Sequence, residues 1–189
     1  PTPVADVTLD SYARRILDAL TSPTILVGHS MAGYPISLAA ELAPQNIRRL
    51  VYLCAYVPAA GKTLADMRRA APRQPILHAV QLSQDRSSFT LDPAHIHDLF
   101  YHDCPDGTLE YAMTRLCPEA VLPQETVAPL GNTYARIPRS YIRCSKDQTI
   151  PPEYQQKMTK DWPPENVYSI PTGHSPFFAD PTGLARLLD

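Results

Sequence analysis

A serine hydroxyl attacks a carbonyl only when a neighbouring base takes its proton, and an imidazole does this best when a carboxylate holds its other nitrogen. The 189-residue chain offers that set at Ser30, Asp147 and His174. Ser30 sits in Gly28-His29-Ser30-Met31-Ala32-Gly33, Asp147 in Cys144-Ser145-Lys146-Asp147-Gln148, and His174 in Thr172-Gly173-His174-Ser175-Pro176. Together they would perform acyl transfer through a covalent serine intermediate. Each has a plainer structural reading: Ser30 as a helix cap, Asp147 as a turn residue, His174 as a surface loop residue. What favours chemistry is the elements around them.

Residues 24–28 (Thr-Ile-Leu-Val-Gly) are short, branched and apolar, as a parallel strand covered on both faces would be. Ser30 follows at once, before an alanine-rich helix that reaches about residue 43. Small residues on either side of a serine at a strand-to-helix turn permit the tight bend that exposes Oγ, and the helix start directs an N–H, that of Met31, at developing negative charge. The usual pattern has glycine two places after the serine; here Ala32 stands there and Gly33 follows. Asp147 and His174 each follow a short apolar run, residues 140–144 and 167–170, which places both on strand-end loops at the same sheet edge as Ser30. The order Ser, Asp, His is the one such a sheet uses.

The remaining pattern predicts an α/β architecture. Leu9, Tyr12, Ala13, Ile16, Leu17 and Leu20 fall at helical spacing, residues 49–54 form a second buried strand, and helices are predicted over 152–160 and from 176 or 177 to 188. Residues 58–130 interrupt the strand–helix rhythm with helical patterns at 63–70, 93–101 and 108–116 and no convincing buried strand. The predicted organisation is therefore a core of residues 1–57 and 131–189 with an inserted helical cap at 58–130.

Charge and composition narrow the function classes. Seventeen Lys plus Arg against 19 Asp plus Glu leave a net charge of −2, with no basic cluster to follow a phosphate backbone or an anionic membrane. No apolar stretch has the length of a membrane span, and no secretory pattern precedes the first helix, so a cytoplasmic protein is expected. Four scattered cysteines are not a disulfide framework; Cys54 and Cys144 read as buried thiols, and Cys104 and Cys117 are either a bridge or free. His95, His97, His102, Asp103 and Cys104 are metal-ligand types, but residues two apart on a helix do not face one point, so neither metal nor cofactor is expected.

The Gly-His-Ser-Met elbow, the residues 142–144 strand leading to Asp147-Gln148-Thr149-Ile150-Pro151-Pro152-Glu153-Tyr154-Gln155, and Gly173-His174 before the last helix resemble the esterase and hydroxynitrile lyase branch of the α/β-hydrolases. That branch includes plant methyl esterases and bacterial carboxylesterases. The resemblance implies an α/β-hydrolase fold with Ser30 as nucleophile, His174 as base and Asp147 as orienting acid. It also implies several preceding strands and a His-Gly loop that supplies one oxyanion donor. By this resemblance the N-terminal strands and the oxyanion loop are expected to be missing from this chain, so only the N–H of Met31 is assigned to an oxyanion hole here, and a separate N-terminal segment is one expected partner. The others are a small-molecule ester and a second copy in a homodimer.

Lyases of the branch carry lysine after the catalytic histidine and usually cysteine after the serine; Ser175 and Met31 stand there instead, which favours a carboxylesterase for small or medium esters. A hydroxynitrile lyase and a non-catalytic small-molecule binding protein on the same fold are the alternatives. His29, Tyr56, Met67, Leu82, Phe100 and Met113 are the candidate pocket residues.

Overall fold

The computed structural model describes residues 2–189. Thr8 opens α1 (Leu9–Asp18): its hydroxyl accepts from the Ser11 N–H and its own N–H donates back to the Ser11 hydroxyl, satisfying two donors that a helix start would leave unpaired. Strands β1 (Thr24–His29) and β2 (Ile47–Leu53) follow, joined by α2 (Gly33–Leu42). After β2 the chain leaves the sheet for α3 (Leu64–Arg69), β3 (Val80–Leu82), β4 (Ser88–Leu91), α4 (Pro93–Ile96), α5 (Thr108–Met113), β5 (Glu119–Ala120) and α6 (Asn132–Ala135). It returns as β6 (Arg139–Cys144), α7 (Pro152–Met158), β7 (Val167–Ile170), α8 (Pro176–Ala179) and α9 (Pro181–Leu188).

The main sheet is parallel throughout, in the order β1-β2-β6-β7. Alternation along β2 shows how both faces are used. Leu50 and Tyr52 pack with Ile36, Ala40 and Tyr134 under α2 and α6, whereas Val51 and Leu53 join Ile142, Ile170 and Leu184 under α9. Such double coverage makes these strands read as continuous apolar runs. At the β1 edge the situation differs: Ile25 and Val27 are exposed, and among the described residues β1 pairs only with β2. No helix among the described residues is long and apolar enough to cross a membrane. All four cysteines carry free thiols, Cys54 and Cys144 being buried.

Two expectations need correction. Residues 58–130 are not a purely helical insert, because β3, β4 and β5 form a three-stranded antiparallel sheet within them. These strands span two to four residues and their side chains are largely exposed or half-buried, so they lack the buried apolar run that marks a strand of the main sheet. The final helix is also two. Asp180 leaves the helical region (φ −148°), Pro181 cannot continue the ladder, and the Asp180 carboxylate accepts from the Gly183 N–H at 2.8 Å to start α9 afresh.

Candidate active site

Ser30 sits at the turn between β1 and α2 with φ of +57°, the left-handed region that a residue with a Cβ adopts only when its surroundings insist. Two contacts impose it. The Ser30 carbonyl accepts from the Tyr56 N–H at 3.0 Å, which ties the turn to the end of β2. At Gly33 a Cβ would run into the Tyr56 carbonyl oxygen, so α2 can lie this close to that segment only with glycine. Ala32 has ordinary helical angles (φ −64°, ψ −9°), which is why alanine replaces the usual glycine there at no conformational cost.

Asp147 and His174 are wholly buried, and the three side chains form one hydrogen-bonded chain. His174 Nε2 lies 2.9 Å from Ser30 Oγ, and His174 Nδ1 lies 2.8 Å from Asp147 Oδ2. The Asp147 carboxylate meets donors only. Oδ1 accepts from the Thr149 and Ile150 N–H groups at 2.7 and 2.9 Å, and Oδ2 accepts from Gln155 Nε2 at 2.9 Å as well as facing the imidazole. Gln155, on α7, is itself pinned, since its Oε1 accepts from the Cys144 N–H and its amide also donates to the Ile150 carbonyl. Gln155 had no role assigned from sequence; its place eight residues after Asp147, one turn into a helix that follows the acid loop, is the signal that could have found it.

The base and acid loops are both held from the inserted segment. The Asp103 carboxylate accepts from the Gly173 N–H at 2.6 Å, the Thr149 hydroxyl donates to the Leu99 carbonyl at 2.7 Å, and Phe100 stands edge-on to the His174 ring at 5.4 Å. A Cβ on Gly173 would lie 2.5 Å from His102 Cε1 and 2.7 Å from Asp103 Oδ1. Gly173→Ala is therefore expected to displace the loop that carries His174 and lower kcat by about tenfold or more, roughly the cost of a 1 Å misplacement at a reacting centre. Ester hydrolysis measured beside the thermal midpoint checks this; a variant with native kcat would mean that the loop yields freely.

His29 is not a pocket residue. Its Nε2 donates to the His174 carbonyl at 2.7 Å, and its ring lies between His174 and Phe177 at 4.5 and 5.1 Å, behind the triad. Burial, then the adjacent His174, pushes its pKa down to about 3. The unfolded chain takes up this proton near pH 6.5 while the folded one resists until about pH 3, so His29 costs stability as pH falls through that window. His29→Gln, which keeps a donor for the carbonyl, is expected to flatten the acid limb of a denaturant-midpoint against pH plot. An unchanged limb would show that His29 is not the group responsible.

Beside Ser30 opens a cavity of about 360 Å³. Of the candidate pocket residues, Tyr56, Phe100 and Met113 line it together with Met31, whereas Met67 and Leu82 do not. Met67 packs into the core under α1 and α7, and Leu82 lies on β3 with 46% of its surface exposed. Length and apolarity alone cannot separate cavity lining from core or surface. The sequence reading also missed Arg68, Glu119 and Gln124, which line the same cavity. The metal-ligand types at 95–104 do not converge. Among the described residues the group that does is His29, Cys54 and His174, but both His174 nitrogens already face Ser30 and Asp147 and the His29 Nε2 faces a carbonyl, so this donor set does not fit a resident metal.

Residues 1–187 match a family model described as the alpha/beta hydrolase family. The chain is 26% identical over 197 residues to a putative chloroplastic methylesterase of Arabidopsis thaliana (putative methylesterase 14), covering 96% of this chain and 57% of that protein. It is 29% identical over 197 residues to a pyrethroid hydrolase of Sphingobium wenxiniae, covering 96% of this chain and 69% of that one. Among solved structures, a pyrethroid hydrolase from Sphingobium faniae superimposes with a TM-score of 0.84 at 27% identity, over 96% of this chain and 76% of that chain. The chain thus spans little more than half the length of the chloroplastic relative.

Proposed function

Because the chain belongs to the α/β-hydrolase family, we propose that it is a serine carboxylesterase in which Ser30 is the nucleophile, His174 the general base and Asp147 the group that orients it. The observation that carries this reading is the unbroken hydrogen-bond chain from Asp147 through His174 to Ser30, at 2.8 and 2.9 Å, with Ser30 at the wall of an otherwise largely apolar cavity. The relatives named as methylesterases and a pyrethroid hydrolase support the same reaction class.

His174 takes the Ser30 proton as Oγ adds to the ester carbonyl, and the imidazolium then gives that proton to the departing alcohol. Water, deprotonated by the same imidazole, releases the acid and restores the serine. The Met31 N–H, at the first turn after the elbow, is the oxyanion donor this chain supplies. We assign the second donor to a segment that pairs along the open β1 edge, where Ile25 and Val27 are uncovered. Neither Ser175 nor any residue lining the cavity is a lysine, which favours ester hydrolysis over cyanohydrin cleavage.

The test is labelling by a serine-directed fluorophosphonate, with the modified residue located by peptide mass, run beside hydrolysis of 4-nitrophenyl butyrate. Adduct on Ser30 with turnover supports the assignment; a folded protein that neither labels nor turns over would place it among binding proteins on this fold.

A further inference from the structure

The cavity beside Ser30 is not uniformly apolar. Leu64, Ile76, Leu91 and Ile96 form much of its wall, yet Tyr56, Arg68 and Gln124 line it too. Their donors outnumber their acceptors. Arg68 Nη1 donates to Gln124 Oε1 at 3.1 Å, and that is the guanidinium's one hydrogen bond among the described residues. Its Nε is shielded from solvent without a partner, and no ion pair joins it to a carboxylate. Gln124 is buried, and among the described residues neither its amide NH₂ nor the Tyr56 hydroxyl has a hydrogen-bond partner. Arg68 is bonded to Gln124, and both line the same cavity as Tyr56, so these donors face one space.

Partly desolvating a guanidinium whose one hydrogen bond is to a neutral acceptor costs free energy, which the nearby Glu125 carboxylate offsets only in part. Burial holds Arg68 below the usual arginine range, and a guanidinium keeps its charge inside proteins. Glu119 lines the cavity as well, but it accepts from the Tyr12 hydroxyl at 2.8 Å and forms no ion pair with Arg68. Glu125 is the carboxylate whose field Arg68 feels, and it too is unbonded to it.

We propose that Arg68, with Tyr56 and Gln124, binds a carboxylate borne by the substrate itself, so that the preferred esters are hemiesters of dicarboxylic acids. This rests on the serine esterase reading. The planar guanidinium suits a carboxylate better than any neutral group, and the amide and phenol supply further donors to it. Hydrolysis breaks the acyl–oxygen bond, water supplies hydroxyl to the acyl carbon and a proton to the alcohol, and a dicarboxylic acid and an alcohol leave. The carboxylate held by Arg68 is unchanged.

The experiment compares 4-nitrophenyl hemiesters of glutaric, adipic and suberic acids with neutral 4-nitrophenyl acyl esters of the same chain lengths, on one preparation of the full chain. Because the readout is a ratio of kcat/KM values, the folded fraction cancels. At least one hemiester is expected to exceed its neutral counterpart, and Arg68→Met to lower that ratio by about tenfold or more through KM, the size of a lost charged hydrogen bond. Arg68→Lys should retain part of the preference. A native ratio at or below one for every length, or a ratio untouched in Arg68→Met, overturns the proposal. Absence of turnover on all esters together with no phosphonate adduct at Ser30 instead overturns the esterase reading beneath it.

Discussion

Ser30→Ala is expected to lower kcat on a short aryl ester by roughly 10⁵–10⁶-fold, the loss seen when the nucleophile is removed from a serine triad. What survives is binding and the Met31 donor, with no covalent route. The substitution removes Oγ and its 2.9 Å contact with His174 but keeps the Cβ, so the positive φ persists and stability should be near native. Ser30→Gly separates the two effects. It is equally inactive, yet it removes a left-handed strain of about 1–3 kcal/mol while giving back part of that as unfolded-chain entropy. Its denaturation midpoint should be no lower than that of the alanine variant. A Ser30→Ala protein that folds, loses phosphonate labelling and still hydrolyses the ester at the native rate would remove Ser30 from the reaction.

The second large effect is expected at Asp147, where even the isosteric change to asparagine has no good orientation. Both carboxylate oxygens receive donors: two backbone N–H groups on Oδ1, the Gln155 amide and the imidazole on Oδ2. An amide NH₂ placed on either side opposes at least two N–H groups. If it faces His174, the imidazole must present the nitrogen that carries no proton, and the opposite tautomer then points N–H at Ser30, where a base is needed. Asp147→Asn is therefore expected to cost about 10⁴-fold in kcat, as the wrong tautomer does in other triads. It should also cost about 1–3 kcal/mol for each buried donor left unpaired. Kinetics and urea denaturation together check the pair of losses. A rate loss at native stability would mean that the carboxylate seat relaxes to accommodate the amide.

How much of this was readable beforehand depended on the kind of contact. Ser30, Asp147 and His174 were legible because each follows a short strand of the main sheet, and strand ends at one edge of a parallel sheet converge whatever the details between them. The doubly covered strand β2 was legible from the apolar run at 50–53, and β6 from Tyr141, Ile142 and Cys144. The small β3-β4-β5 sheet was not, since its strands have one open face and few buried side chains. Pocket membership was legible only in part. Tyr56 and Met113 reach the cavity while Met67 and Leu82 do not, and that difference is set by where the inserted segment packs rather than by the residues' own chemistry. Gln155 and Asp103 were missed for a related reason: each acts by bonding a loop that only the folded chain brings to it.

The split of the sheet has a kinetic consequence. β1 and β2 are joined by a short helical crossover, but β2 finds β6 only after the whole inserted segment has been spanned. Ser30 lies on one side of that junction, and Asp147 and His174 lie on the other. Closing a loop of that length is a late and slow event, whereas the α1–β1–α2–β2 unit can gain structure locally. In a refolding experiment, far-ultraviolet ellipticity should therefore rise ahead of the capacity of Ser30 to take up a phosphonate, and that capacity serves as a chemical clock for the joining of the two halves.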